Sequence, residues 1–264
     1  MSACAIELDD EQLLRYSRHI LLPELGPDAQ ERFAAAHVLI VGMGGLGAPA
    51  AQFLAAAGVG TLTLCDADTV DLTNLQRQIL YATRDIGTPK VDAAARRLGA
   101  INPEVRIERV PRRVARADLA PLVAAADVVL DCCDNFATRH AVNAACVRAR
   151  VPLVSGAAIR FDGQVAVFDA RDARSPCYHC LFGDGDELEE TRCATMGVFA
   201  PVVGIVGAMQ AAEALKLLAG VGTSLAGRLQ MLDARSMEWT EVRLSRQARC
   251  PVCGPHRGAA PASG

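Results

Sequence analysis

Two Cys-x-x-Cys pairs, Cys177/Cys180 in SPCYHCLF and Cys250/Cys253 in ARCPVCGP, constrain this chain more than any other feature. Cysteines at that spacing can present both thiolates to one tetrahedral zinc ion, and a second pair completes a closed Cys4 site. The pairs lie far apart in sequence, so a shared ion ties the C-terminal region back onto the middle of the chain. A redox dithiol is the competing reading, but the thioredoxin-like pattern that would accompany it is missing.

The rest of the composition narrows the class. Ten cysteines in 264 residues, behind an acidic N-terminus (MSACAIELDDEQ) with no export signal, predict thiols and metal ligation in the cytoplasm rather than disulfides. A net charge of −3 argues against nucleic acid as the partner. No uninterrupted apolar run is long enough to span a bilayer, so no membrane partner is expected.

Strand and helix patterns alternate along the chain. Residues 9–36 read as helical with a break at Pro23–Gly26. Apolar runs at His37–Val41, Thr61–Cys65, Arg106–Val110 and Asp127–Leu130 read as strands, followed by Pro152–Ser155 and Gln164–Phe168. Helices are expected at Gly47–Ala57, Lys90–Leu98, His140–Arg148 and Ile205–Leu218, with late strands at Leu229–Asp233 and Trp239–Leu244. This alternation predicts a Rossmann-like α/β fold, a doubly wound and mostly parallel sheet, with a C-terminal antiparallel extension and the Cys4 zinc site. The polar stretch 183–197 reads as a mobile loop, and the tail 255–264 as disordered.

Gly42, Gly44 and Gly47 form G-x-G-x-x-G between a strand and a helix, the context required for phosphate binding at a helix N-terminus. Asp66 closes the second strand, where an acid can bond ribose hydroxyls. Alone, this pattern favours NAD, or a tight turn with no ligand. Asn74, Arg77 and Lys90 follow, and a triphosphate needs more cations than a dinucleotide. Each cation taken singly also fits a solvated surface charge. Asp131 and Asp134 flank the end of the fourth strand; one of them could hold magnesium against phosphates, or Asp134 could simply cap the next helix. Cys193 lies outside both pairs, beside Arg192. It is a candidate nucleophile if its thiolate is favoured, and otherwise an incidental thiol. Cys65, Cys132, Cys133 and Cys146 read as core.

Taken in order, RYSRHILL, VGMGGLG, CDADTVDLTNLQRQIL, GTPKVDAA, LDCCDN, VPLVSGAAIRFDGQV, CYHC, GVFAPVVGIVGAMQAAEALKLLAG and CPVCG resemble the blocks of the MoeB/ThiF/HesA family, bacterial relatives of ubiquitin-activating enzymes. The resemblance covers residues 9–254. It implies one adenylation domain over 1–254: N-terminal helices (9–36), a nucleotide-binding core (37–170), and a zinc-bearing, carrier-binding part (171–254). It implies adenylation of the C-terminal Gly-Gly carboxylate of a small ubiquitin-like sulfur carrier, with ATP, Mg2+ and structural Zn2+.

By that resemblance, Gly45 and Asp66 contact the adenosine. Asn74, Arg77 and Lys90 contact the phosphates, and Asp134, with Asn135 beside it, serves nucleotide and magnesium. Arg18 reaches into a partner subunit's site, which implies a homodimer, and Cys193 matches a loop cysteine that serves sulfur transfer in some members. Met43, Cys133 and His19 depart from the usual residues without removing a site group. The chain stops after the second cysteine pair, so the sulfur donor is expected to be a separate protein. The resemblance leans towards the molybdopterin carrier, with the thiazole (thiamine) carrier as the alternative. An NAD-dependent oxidoreductase and a non-catalytic carrier-binding scaffold are the competing functions.

Overall fold

The computed structural model describes residues 7–183 and 196–254. Most of the expected 183–197 loop, with Arg192 and Cys193, and the tail 255–264 lie outside the described residues.

One eight-stranded sheet runs through the molecule in the order β3-β2-β1-β4-β5-β6-β7-β8. Its strands are β1 (His37–Val41), β2 (Thr61–Cys65), β3 (Arg106–Val110), β4 (Val128–Asp131), β5 (Leu153–Ile159), β6 (Asp162–Phe168), β7 (Arg228–Asp233) and β8 (Glu238–Arg243). β1 to β5 are parallel; β6, β7 and β8 add as antiparallel strands. The central strands HVLIV, TLTLC and VVLD are buried almost throughout because helices cover both faces. β3, at one edge, is only partly covered, and β8, at the other, is exposed at every residue.

The helices are α1 (Asp10–Arg15), α2 (Ser17–Ile20), α3 (Gly26–Ala35), α4 (Gly47–Ala56), α5 (Lys90–Ile101), α6 (Arg116–Ala124), α7 (Phe136–Ala149), α8 (Tyr178–Phe182) and α9 (Ala200–Ala219). One face of the sheet, through Val38, Ile40, Leu62 and Leu64, packs on apolar residues of α4, α5 and α9. The other, through Leu39, Val41 and Val129, packs on α6, α7 and α8. Alternate residues of one strand thus feed two cores. α9 is long and apolar enough to cross a membrane, yet half of it is buried inside the fold against α4, β5 and β6. Its two charges, Glu213 and Lys216, pair with each other. It serves as a core helix.

The N-terminal helical stretch is interrupted earlier than the Pro23–Gly26 break predicts. Tyr16 ends α1 and buries its ring, and its hydroxyl accepts from Asn102 Nδ2 at 2.8 Å and donates to Glu104 at 3.1 Å. α6 has no counterpart in the sequence reading: it contains Pro121 and shows no apolar periodicity. Asp118 starts it by accepting the Ala115 N–H at 2.9 Å.

Register places the site. Val41 pairs with Cys65 on one side and Asp131 on the other, and Asp131 pairs with Ser155. The carboxyl ends of β1, β2 and β4 are therefore level. The chain runs outward from β1 to β3 and returns to β4 on β1's other flank, so the order reverses between β1 and β4. Open α/β sheets bind ligands at such a switch point.

Candidate active site

A cleft of about 1060 Å³ opens at that reversal. Gly42, Gly44 and Gly45 line it, directly after β1. Gly42 has φ +95°, and a Cβ there would stand 2.6 Å from the Cys132 carbonyl oxygen. Gly47 lies behind them at the start of α4, where a Cβ would meet the Gly42 oxygen at 1.9 Å. Gly47 thus allows the turn to close, while the other three face the cleft.

The turn is gripped from both sides. Asp66 Oδ2 accepts the Met43 N–H at 2.7 Å, and the Tyr81 hydroxyl donates to the Met43 carbonyl at 2.7 Å. Burial raises the Asp66 pKa, opposed by Lys90 and by the N–H groups of Asp68 and Met43. Lys90 opens α5 and is itself buried. Its Nζ lies 2.7 Å from Asp68 and 4.0 Å from Asp66. Asn74 and Arg77 are half-buried and line the same cleft. Asn74 Oδ1 accepts the Asp71 N–H at 3.2 Å, and Arg77 Nη1 donates to the Thr73 carbonyl at 3.1 Å. All three predicted phosphate-side groups therefore line the same cleft.

The structure separates the two aspartates near the end of β4. Asp131 is fully buried and accepts from Ser155 Oγ (2.8 Å), Arg139 Nη1 (3.4 Å) and the Cys133 N–H (3.1 Å). Its oxygens are occupied by the protein. Asp134 is exposed on the cleft wall, and Asn135 Nδ2 approaches it at 3.5 Å. The helix-capping alternative for Asp134 fails, because Asn135 caps α7 by accepting the Thr138 N–H at 2.9 Å. Among the described residues no charged side chain engages the Asp134 oxygens, and this donor type suits magnesium held against phosphates.

The four paired cysteines meet. Their sulfurs all lie within 4.8 Å of one another, and all four residues are buried. Three of the separations are 3.9, 3.7 and 3.5 Å. Four sulfurs about 2.3 Å from a central zinc stand roughly 3.8 Å apart in a tetrahedron, so the donor set and its spacing suit that ion. Val147 of α7 packs on this cluster, joining it to the helix that follows Asp134.

Arg18 lies exposed on α2 and is not among the described residues lining the cleft. Cys65, Cys132, Cys133 and Cys146 are buried as expected, though the first three also border the cleft. Burial pushes the Cys65 thiol up to about 12. Sequence reasoning missed Tyr81, Arg139, and the cleft-lining pair Arg112 and Arg113. A lone arginine or tyrosine carries no positional signal. Adjacency to the ends of β3 and β4 could have drawn attention to Arg112, Arg113 and Arg139, but not to Tyr81.

Residues 16–252 match the ThiF family. The chain is 48% identical over 251 residues to molybdopterin-synthase adenylyltransferase of Escherichia coli, covering 94% of this chain and 99% of that protein. It is 47% identical over 247 residues to the sulfur carrier protein ThiS adenylyltransferase of the same organism, covering 94% and 97%. Among solved structures, E. coli MccB with ATP superposes with a TM-score of 0.80 at 26% identity, covering 91% of this chain and 74% of that one. Fold, cleft and sequence agree, and the chain belongs to the ThiF family.

Proposed function

We propose that this protein adenylates the C-terminal Gly-Gly carboxylate of a ubiquitin-like sulfur carrier, using ATP and releasing pyrophosphate. The observation that carries this reading is the convergence of the glycine turn, Asn74, Arg77, Lys90 and Asp134 on one cleft. A dinucleotide has no use for that set. The relatives named as adenylyltransferases of sulfur carriers cover nearly the whole chain.

In the reaction, a carrier carboxylate oxygen attacks the α-phosphorus. The bond to pyrophosphate breaks, and an acyl-adenylate remains. A carboxylate is already a nucleophile at neutral pH, so no general base is needed. Gly45 and Asp66 hold the adenosine side. Asn74, Arg77 and Lys90 hold the phosphates and offset charge on the leaving pyrophosphate. Lys90 exchanges its Asp68 contact for phosphate. Magnesium, held by Asp134 with Asn135 alongside, would supply further charge neutralisation there. Zinc at Cys177, Cys180, Cys250 and Cys253 is structural.

Arg18 belongs to the same machinery through a homodimer. Leu14 and Leu21, on and beside the N-terminal helices, are 77% and 72% exposed. This apolar surface suits a second copy that brings Arg18 over its partner's cleft. We read Cys193 as a candidate thiol for later sulfur transfer from a separate donor, and the protein as a cytoplasmic enzyme.

ATP–pyrophosphate exchange against molybdopterin and thiazole sulfur carriers, intact and lacking the last glycine, tests the proposal. Exchange with one intact carrier names the pathway; the molybdopterin carrier is expected. No exchange with any carrier, together with tight NAD(H) binding, would overturn it in favour of an oxidoreductase.

A further inference from the structure

Asp131 and Arg139 form an ion pair with side chains 0% and 8% exposed. A buried pair of this kind is a poor stabiliser, because desolvation offsets most of the attraction. Its partners point to another role. Asp131 accepts the N–H of Cys133 at 3.1 Å, and Arg139 Nη2 donates to the carbonyl of the same residue. Arg139 Nη2 also reaches the Gly156 carbonyl on β5 at 3.0 Å, while Ser155 of β5 donates to Asp131 at 2.8 Å. Both backbone polar groups of Cys133 are thus held by the pair, and the pair is held by the neighbouring strand.

The Cys133 carbonyl belongs to the planar peptide that leads into Asp134. Its orientation determines how Asp134 leaves the sheet. On the far side, Asn135 anchors the chain to α7. Asp134 itself has only the 3.5 Å approach of Asn135 for support among the described residues. Its placement is therefore set by the backbone on either side. We propose that Arg139, braced by Asp131, is a positioning residue that presents Asp134 and Asn135 to the nucleotide. This rests on the adenylation reading above.

The test compares wild type, Arg139→Lys, Ser155→Ala, Asp134→Ala and the Arg139→Lys/Asp134→Ala double variant. The readouts are ATP–pyrophosphate exchange and amide hydrogen exchange of the 132–135 segment. Arg139→Lys keeps a charge but, with one nitrogen in place of the guanidinium fork, cannot reach Asp131 and both carbonyls at once. It should lower kcat by about 100-fold with KM for ATP within about threefold. Exchange of the Cys133 and Asp134 amides should quicken, and Asp134→Ala should add little further loss. Ser155→Ala should act in the same direction, by about 3- to 10-fold, and decides the matter if Arg139→Lys does not fold.

Unchanged activity per folded molecule, fully additive losses, or unaltered amide exchange would each overturn the positioning role. The amide readout needs no turnover. Wild-type protein inactive on every carrier would therefore sink the adenylation reading alone, while the clamp would still be judged by the amides.

Discussion

Asp66 at the end of β2 accepts the backbone N–H of Met43 in the turn after β1, at 2.7 Å. The acid that a nucleotide pattern assigns to the ribose therefore also shapes the turn beneath the phosphates. Burial raises its pKa above the ordinary 3.8, with Lys90 and two N–H groups opposing. The sign follows from the direction. Asp66 contributes most to stability below pH 3.8, and that contribution is lost as pH rises through its folded value. At pH 7 its charge is a cost to folding. Asp66→Asn removes the buried charge and keeps an acceptor for Met43, but turns its amide N–H2 towards the Asp68 N–H that Asp66 Oδ1 accepts at 2.8 Å. The two effects oppose, so Tm at pH 7 should stay close to wild type, whereas KM for ATP should rise by about 10- to 100-fold. Lower Tm with unchanged KM would restrict Asp66 to a structural part.

Gly47→Ala tests the turn's packing without touching a charge. The new Cβ would stand 1.9 Å from the Gly42 oxygen, and backbone must move to admit it. A loss of about 3 kcal/mol in urea unfolding is expected, with ATP binding lost in the folded fraction. Wild-type stability would mean that the turn has slack the contacts do not suggest.

The strands were legible because buried parallel strands are unbroken apolar runs, and HVLIV, TLTLC and VVLD are such runs. The paired cysteines and the glycine turn were legible because each chemistry demands fixed spacing. α6 was not, because Pro121 and a uniformly mixed surface erase its period. The division of labour between Asp131 and Asp134 was also hidden. Two carboxylates three residues apart look alike until Arg139, Ser155 and the Cys133 N–H surround one of them. Arg139 carried no signal in the sequence, since its burial depends on partners at the end of β4 and on β5.

Asp85 supplies a pH test near Lys90. It accepts the Ala82 N–H at 2.9 Å and pairs with Arg96 at 3.2 Å. Burial pushes its carboxyl up, but the Ala82 N–H and Arg96 outweigh this and hold it below 3.8. Its stabilisation is therefore present above pH 3.8 and lost as pH falls through the depressed value. Asp85→Asn should cost about 1 kcal/mol at pH 7, and the gap from wild type should close as pH drops below 3.8. A gap independent of pH would remove the carboxylate from the explanation.

The cysteine cluster ties residues 250–253 to α8 and, through Val147, to α7. Metal analysis should find about one zinc per chain. Chelation under reducing conditions should lower stability by at least about 3 kcal/mol, or roughly 10 °C in Tm, and open the segment after β8 to protease. Cys250→Ser should do the same without chelator. Protease resistance in the metal-free protein would show that packing alone holds this end.

Arg18 offers the sharpest test of the assembly, because it is exposed and is not among the described residues that line its own chain's cleft. If it acts across a two-fold interface, Arg18→Ala and Asp134→Ala damage different halves of one composite site. Each variant alone should lose at least about 100-fold in pyrophosphate exchange. In a mixed dimer, the Arg18→Ala subunit keeps its own Asp134 and receives Arg18 from its partner, so one site of the two is intact. Random reassortment makes half the dimers mixed, and activity should recover to about a quarter of wild type. Recovery requires subunit exchange, which a brief dissociation and dilution step provides. Absence of recovery after proven exchange would confine Arg18 to its own subunit or to packing, and the exposed leucines around it would then need another partner.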